Sequence, residues 1–261
     1  MGELLDAVDS LAARRPIAAR LVAMTGDDAV GSKELAATLT ADVALTARVV
    51  KLANSAFYGL GGRVRTVPFA ITVVGFSTIR AMAATAATGL DTDELLPPDF
   101  WPRSKATALA ASELATLFSI SSPDAFCLGL LAGLGQVLLV QYDAAGYREL
   151  LYSTAGQSRA AVTAAEVQRY GVRHTEVSAA VLSSWAFPHD LAEALHHLDS
   201  PTGPATPWSL CLATAVEAAT RLLSPATPVH DVLGVSDGAL TEDRMLAMLP
   251  RLSQTLSVSD W

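Results

Sequence analysis

Side chains able to ligate a metal, stack on a ring or pair with an anion are few in this chain, and they gather in two places. His174 and the adjacent His196-His197 supply three imidazoles, which could hold zinc if they converged. They come without a recognisable bridging carboxylate, so hydrogen bonding within the fold or a place on the surface is the ordinary expectation. The second place is Asn54 to Arg65, which holds Asn54, Phe57, Tyr58, Arg63 and Arg65. Aromatic rings beside arginines can stack on a base; equally, they can plug a junction between helices. Arg63, Arg65 and the more distant Arg80 can pair with an anionic partner. Cys127 lies in an apolar run with no assigned base, which fits a core thiol better than a nucleophile. The chain has no G-x-S-x-G elbow, P-loop, H-E-x-x-H or paired-cysteine zinc spacing. Gly59-Leu60-Gly61-Gly62 lacks the strand-to-helix setting that a dinucleotide fingerprint needs.

The elements that must position these residues read as helices throughout. Hydrophobic residues make up 51% of the 261 and aromatics only 6%, so the core is built from Ala, Leu and Val. With no convincing period-two alternation, the expected class is all-α. The organising stretch is Ala125 to Tyr142, which carries no charge between Asp124 and Asp143. Its leucines and valines surround the helical wheel, which predicts one helix buried on every side. Gly129, Gly133 and Gly135 each cost about 1 kcal/mol there relative to alanine, so close helix packing or an adjacent site must require them. The stretch is long enough to cross a membrane. Gln136, Gln141, the glycines and the acidic flanks without a Lys/Arg bias point instead to a buried helix of a soluble protein, with no membrane partner. Met1 to Ser10 is acidic and amphipathic rather than a leader, and Cys127 and Cys211 read as reduced thiols; a cytoplasmic location is expected.

Helices are predicted over Leu4–Arg14, Ile17–Met24, Leu35–Leu39 with Ser32 as its cap, and Leu45–Leu52 opened by Thr40 or Asp42. The last stops at Asn54, where Asn and Gly residues predict a tight, shaped exit. Further helices are expected after Thr66, after a Ser77 cap to Gly89, over Phe100–Phe118, and from a Ser122-Pro123-Asp124 start. Tyr147–Ser153, Ser158–Tyr170, Thr175–Trp185, Leu191–Leu198 and Ser209–Leu223 complete most of the set. Asp91–Pro98 and Pro201–Pro207 read as linkers. Met245, Leu249, Leu252 and Leu256 form a stripe suited to a core or a dimer seam, and Pro250 should kink or split their helix.

Charge is distributed unevenly. Residues 1–90 hold nine basic and seven acidic groups, whereas residues 91–261 hold nine basic and nineteen acidic. No acidic residue occurs from Val43 to Leu90, which suits an anionic partner. The overall pI near 5.0 makes nucleic acid an unlikely one.

Two stretches resemble the HDOD domain, a bacterial relative of the HD phosphohydrolase superfamily. Ala41 to Gly75 is similar to its N-terminal half, most specifically at Val49–Gly59 (VVKLANSAFYG). Phe126 to Gln136 (FCLGLLAGLGQ) is similar to the segment in which that family commonly has a His-Asp pair. The resemblance continues through Glu166, Gly171, His174-Thr175-Glu176, Trp185–Pro188 and Ala194–His197, over roughly residues 10–200. It implies an N-terminal helical bundle (1–96) packed on a degenerate HD-type bundle (97–200), with residues 201–261 as a helical extension.

In catalytic HD enzymes histidines and aspartates hold divalent metals that activate water. Here the His-Asp position is Ala132-Gly133 and a frequent upstream histidine falls at Arg103, none of which can ligate. His174, His196 and His197 stay at family positions as vestiges. The resemblance therefore implies a non-enzymatic signalling module without cofactor, acting on protein partners through Asn54, Phe57, Tyr58, Arg63, Arg65 and Arg80. Members are often fused to response-regulator or cyclic di-GMP domains; none is legible in this sequence, so a stand-alone adaptor is expected. The alternative is a sensor binding a cyclic dinucleotide or another nucleotide second messenger between the halves, in a pocket widened at Ala132-Gly133. Residual metal-dependent phosphohydrolase activity using the three histidines ranks below it. The sequence leaves the oligomeric state open.

Overall fold

The computed structural model describes residues 15–27, 29–60, 63–88, 96–97, 99–199, 205–224 and 229–258. The helix expected over Leu4–Arg14, the Gly61-Gly62 pair, Gly89 and most of both expected linkers lie outside them. Among the described residues there are helices and no strand. In chain order the helices are α1 (Pro16–Met24), α2 (Ser32–Leu39), α3 (Val43–Ala53), α4 (Val67–Val74) and α5 (Phe76–Ala87). They are followed by α6 (Phe100–Leu114), α7 (Ser122–Leu131), α8 (Leu134–Tyr142), α9 (Ala144–Ser153) and α10 (Arg159–Tyr170). The last five are α11 (His174–Ser184), α12 (His189–His197), α13 (Pro207–Leu223), α14 (Val229–Val235) and α15 (Glu242–Val258).

Local chemistry explains most boundaries. Pro16 takes the first position of α1, where its missing N–H costs nothing. The Asp42 carboxylate caps α3 by accepting from the Leu45 amide at 2.9 Å. Gly75, at φ +82°, makes the 104° corner between α4 and α5, a conformation that L side chains rarely adopt. The Thr206–Ser209 capping box opens α13.

Three expected caps are corrected. Gly31, not Ser32, precedes α2. Ser77 lies inside the first turn of α5, where its hydroxyl bonds the Asp124 carboxylate of α7 instead. Ser121 caps α7, which frees Ser122 to donate to the Ser112 carbonyl of α6 at 2.5 Å. In each case a tertiary partner or a neighbouring residue outbids the local cap. The long helix expected to Phe118 ends at Leu114 and continues as a 3-10 turn, because Ser119 turns left-handed at φ +56°.

The predicted helix Ala125–Tyr142 is two helices, α7 and α8, separated at Ala132-Gly133. The buried character holds: 78% of the apolar window within Ser122–Tyr142 is inside the fold. α7 packs on α6, α5 and α13, so it joins the N-terminal helices to the rest, while α8 packs on α11 and α9. Alanines make this possible. Ala81, Ala83 and Ala84 of α5 and Ala106, Ala108, Ala110 and Ala111 of α6 are all buried, letting backbones approach closely. Gly129 and Gly135 carry that approach further. A Cβ on Gly129 would meet the Ala108 backbone at 2.8 Å, and one on Gly135 would collide with the His174 carbonyl of α11.

At the C-terminal end Met245 and Leu252 of the expected stripe are buried, Leu249 and Leu256 are partly buried against the core, and α15 packs on α6 and α13. Pro250 does not split α15. Pro250 and Leu246 both face solvent, so water can satisfy the carbonyl that the proline leaves unbonded.

Candidate functional site

The helix exit after α3 is built around Asn54. Its side-chain amide donates to the Val64 carbonyl at 2.7 Å, and its carbonyl oxygen accepts from the Val64 amide at 2.9 Å. A third bond, to the Val50 carbonyl at 3.1 Å, anchors it to the last turn of α3. This side chain imitates a strand partner and closes the ten-residue excursion between Asn54 and Val64. Val64 is turned inward and buried, which forces its neighbours Arg63 and Arg65 outward. Both arginines are exposed, and neither has an ion-pair partner among the described residues. Phe69, one turn into α4, is 45% exposed beside them in the chain.

The other three expected contact residues are placed differently. Phe57 stacks on Phe126 of α7, with ring centroids 5.3 Å apart, and Tyr58 meets Phe57 edge-on. Both rings pack against the core, and burial raises the Tyr58 hydroxyl above its ordinary pKa. They plug the junction between α3 and α7 rather than offering faces to a base. Arg80 is buried. One of its terminal nitrogens donates to the Trp185 and Ala186 carbonyls at 2.7 and 2.6 Å, and its guanidinium lies 4.1 Å over the Phe187 ring. Burial lowers its pKa, with Cys127 nearby acting in the opposite sense. Arg80 is thus a cross-link from α5 to the turn between α11 and α12, not a surface cation. Cys127 is pushed up to about 12 by burial, which suits an inert core thiol.

At the HD-like centre, Ala132 and Gly133 occupy the break between α7 and α8. A Cβ on Gly133 would lie 3.2 Å from the Phe100 ring, with Ser104 behind it. Phe100 packs against the space beside Gly133, where a widened pocket was expected. The residues present do not fit a divalent metal: Ala132 and Gly133 offer no donor, and Arg103 is exposed on α6. Nor do the three histidines converge. His174 is buried and its Nδ1 lies 2.8 and 3.0 Å from the two Glu166 oxygens, while its backbone amide donates to Glu166 at 2.9 Å. The Tyr147 hydroxyl also donates to Glu166, at 2.5 Å. Burial, reinforced by that carboxylate, moves the Tyr147 pKa strongly upward. On the far side Nε2 of His174 is 4.0 Å from Asp199, which Arg159 clamps. Burial pushes the Asp199 carboxyl up, but Arg159, His174 and Arg173 together leave it below its ordinary value. Among the described residues no group of three His, Cys, Asp or Glu side chains is placed to hold a metal ion.

His196 and His197 instead line a groove of about 520 Å³ between α11 and α12, with His189 one end along. Their rings meet edge-to-face, centroids 4.9 Å apart. Sequence reading passed over this groove, although His189, Glu193 and His196-His197 recur at i, i+4, i+7 and i+8 and so share a helix face. It lies wholly within the C-terminal half, not between the halves where a nucleotide was envisaged.

The profile of the HDOD domain family matches residues 11–201. Among solved structures, the chain is similar to a candidate phosphohydrolase from Shewanella amazonensis SB2B, at 22% identity and TM-score 0.74, over 98% of this chain and 96% of that one. It is similar to an HDOD domain protein of unknown function from Geobacter sulfurreducens, at 21% identity and TM-score 0.68, over 94% and 91%. It is also similar to the MmoQ response regulator from Methylococcus capsulatus, at 25% identity and TM-score 0.53, over 91% and 95%. No curated protein matches the chain.

Proposed function

The chain belongs to the HDOD family, and from that premise we propose that it is a regulatory module of bacterial signal transduction that works by binding another protein and not by hydrolysis. The similarity to a response regulator supports the signalling role. The loss of donors at Ala132-Gly133, with Phe100 packed into the space beside them, supports a non-enzymatic one.

One observation carries the choice of surface: the Asn54 clamp, which buries Val64 and holds Arg63 and Arg65 outward without partners among the described residues. Two exposed guanidiniums without ion-pair partners among the described residues, in an acid-free segment, are suited to bidentate pairing with carboxylates, so the partner presents an acidic surface. Exposed Phe69 adds apolar contact area. The module acts in the cytoplasm in this reading.

The test is affinity capture from a bacterial lysate with the wild-type chain and with the double variant Arg63→Glu/Arg65→Glu, followed by titration of any captured protein. The variant is expected to lose the captured protein or bind it at least tenfold more weakly, with an unchanged thermal midpoint. Identical capture by both would remove this surface from the reading.

A further inference from the structure

The groove between α11 and α12 has a chemistry opposite to that of the Arg63/Arg65 surface. Its volume of about 520 Å³ lies in the usual range of ligand sites. Three alanines, Ala179, Ala180 and Ala192, are among its lining residues and give it apolar surface. No lysine or arginine lines it. The basic residues close by are paired: Arg173 with Glu176, a lining residue, at 2.9 Å, Arg169 with Glu149 at 3.1 Å, and Arg159 with Asp199.

What faces the groove is carboxylates and imidazoles. The Glu193 carboxylate has no ion-pair partner among the described residues, and the imidazoles of His189, His196 and His197 make no hydrogen bond there. Tyr170 is also among the lining residues; its hydroxyl donates to Asp143 at 3.1 Å, and the Arg169 guanidinium already lies 5.9 Å over its ring. A free carboxylate among apolar alanines complements an ammonium or guanidinium head on an aliphatic stem. A phosphate finds no lysine or arginine to meet it. The surrounding half of the chain favours the same sign of ligand, with nineteen acidic against nine basic residues from 91 to 261.

We infer that the α11–α12 groove is a second recognition site, which takes a basic segment of a partner protein anchored by a lysine or arginine side chain. The groove is open to solvent along the two helices, and Glu176 to Ser183 spans about 10 Å, room for an extended backbone to run beside the anchored side chain. The stem lies on the alanines, and the charged head meets Glu193. This site is independent of the Arg63/Arg65 reading, because it lies on other helices and selects the opposite charge.

The experiment is fluorescence polarisation of the full chain against a labelled Lys/Arg hexapeptide, a Glu hexapeptide of the same length, and free spermidine as competitor. The basic peptide is expected to bind at submillimolar concentration and to weaken as salt is raised, while the acidic peptide does not bind. Glu193→Gln should weaken binding five- to tenfold, Ala180→Trp should abolish it by filling the groove, and Arg63→Glu/Arg65→Glu should leave it unchanged. If Ala180→Trp fails to fold, Glu193→Gln alone decides. Three results overturn the inference: no binding of the basic peptide below 1 mM (roughly −4 kcal/mol), full binding by Glu193→Gln, or displacement by spermidine at concentrations equal to the peptide's own, which marks a site for free amines. Loss of binding in the arginine double variant would place the peptide on the other surface and overturn it equally.

Discussion

Asn54 shows how one side chain can set the geometry of a surface. Its amide satisfies both backbone groups of Val64, a residue only 3% exposed, so removing it strands a buried donor and acceptor. Asn54→Ala is expected to cost on the order of 2 kcal/mol, read as a lower urea midpoint. A wild-type midpoint would show that the loop closes without the clamp. The same logic separates arginines that look alike in sequence. Arg63 and Arg65 flank a buried valine and must point out, whereas Arg80 sits on a helix whose every described neighbour from Thr78 to Ala87 is buried. A guanidinium in that setting has to find acceptors inside, and the Trp185 and Ala186 carbonyls supply them.

Among the elements, α7 and α8 show that glycines with the same apparent cost have different causes. Gly135 lets the first turn of α8 rest on the start of α11: its amide donates to the Ser178 hydroxyl at 2.8 Å, and the His174 carbonyl stands where its Cβ would go. Gly133 faces only the edge of the Phe100 ring, 3.2 Å away, which a small rotation can relieve. Gly135→Ala should therefore destabilise by about 3 kcal/mol or more, because backbone and not a flexible side chain blocks it. Gly133→Ala should stay within ~1 kcal/mol of wild type, a shift of about 2–4 °C in the thermal midpoint. Equal losses in the two variants would contradict this assignment of close approach.

For the whole molecule, pH acts through the network that ties α9, α10 and α11 together. Asp199 and Glu176 have carboxyls held below their ordinary values, so each stabilises the fold above its unfolded pKa and loses that contribution as pH falls through the folded one. Tyr147 is shifted the other way: raised by burial and by Glu166, it stabilises fully below the ordinary tyrosine value of 10.0 and loses that contribution as pH rises beyond it. Urea midpoints should accordingly form a plateau from about pH 5 to 9, declining on both sides. Asp199→Asn should lower the plateau by about 2 kcal/mol, a figure discounted for the partial exposure of Arg159, and should flatten the acid limb. An acid limb as steep as that of the wild type would show that Asp199 does not contribute to it.

The sequence by itself determined the helical class and the family. It also indicated the shaped exit at Asn54, because these depend on composition, spacing and residue type, which are local. It could not decide which cations are free. Exposure of Arg63 and burial of Arg80 follow from Val64 and the α5–α7 interface, which bring together residues far apart in the chain. Phe57 and Tyr58 turned inward for the same reason: Phe126, on which Phe57 stacks, comes from another helix. The histidines separated into a buried network and an open groove only once α10, α11 and α12 were packed, since a ligand set is defined by convergence in space, and spacing along two different helices does not determine it.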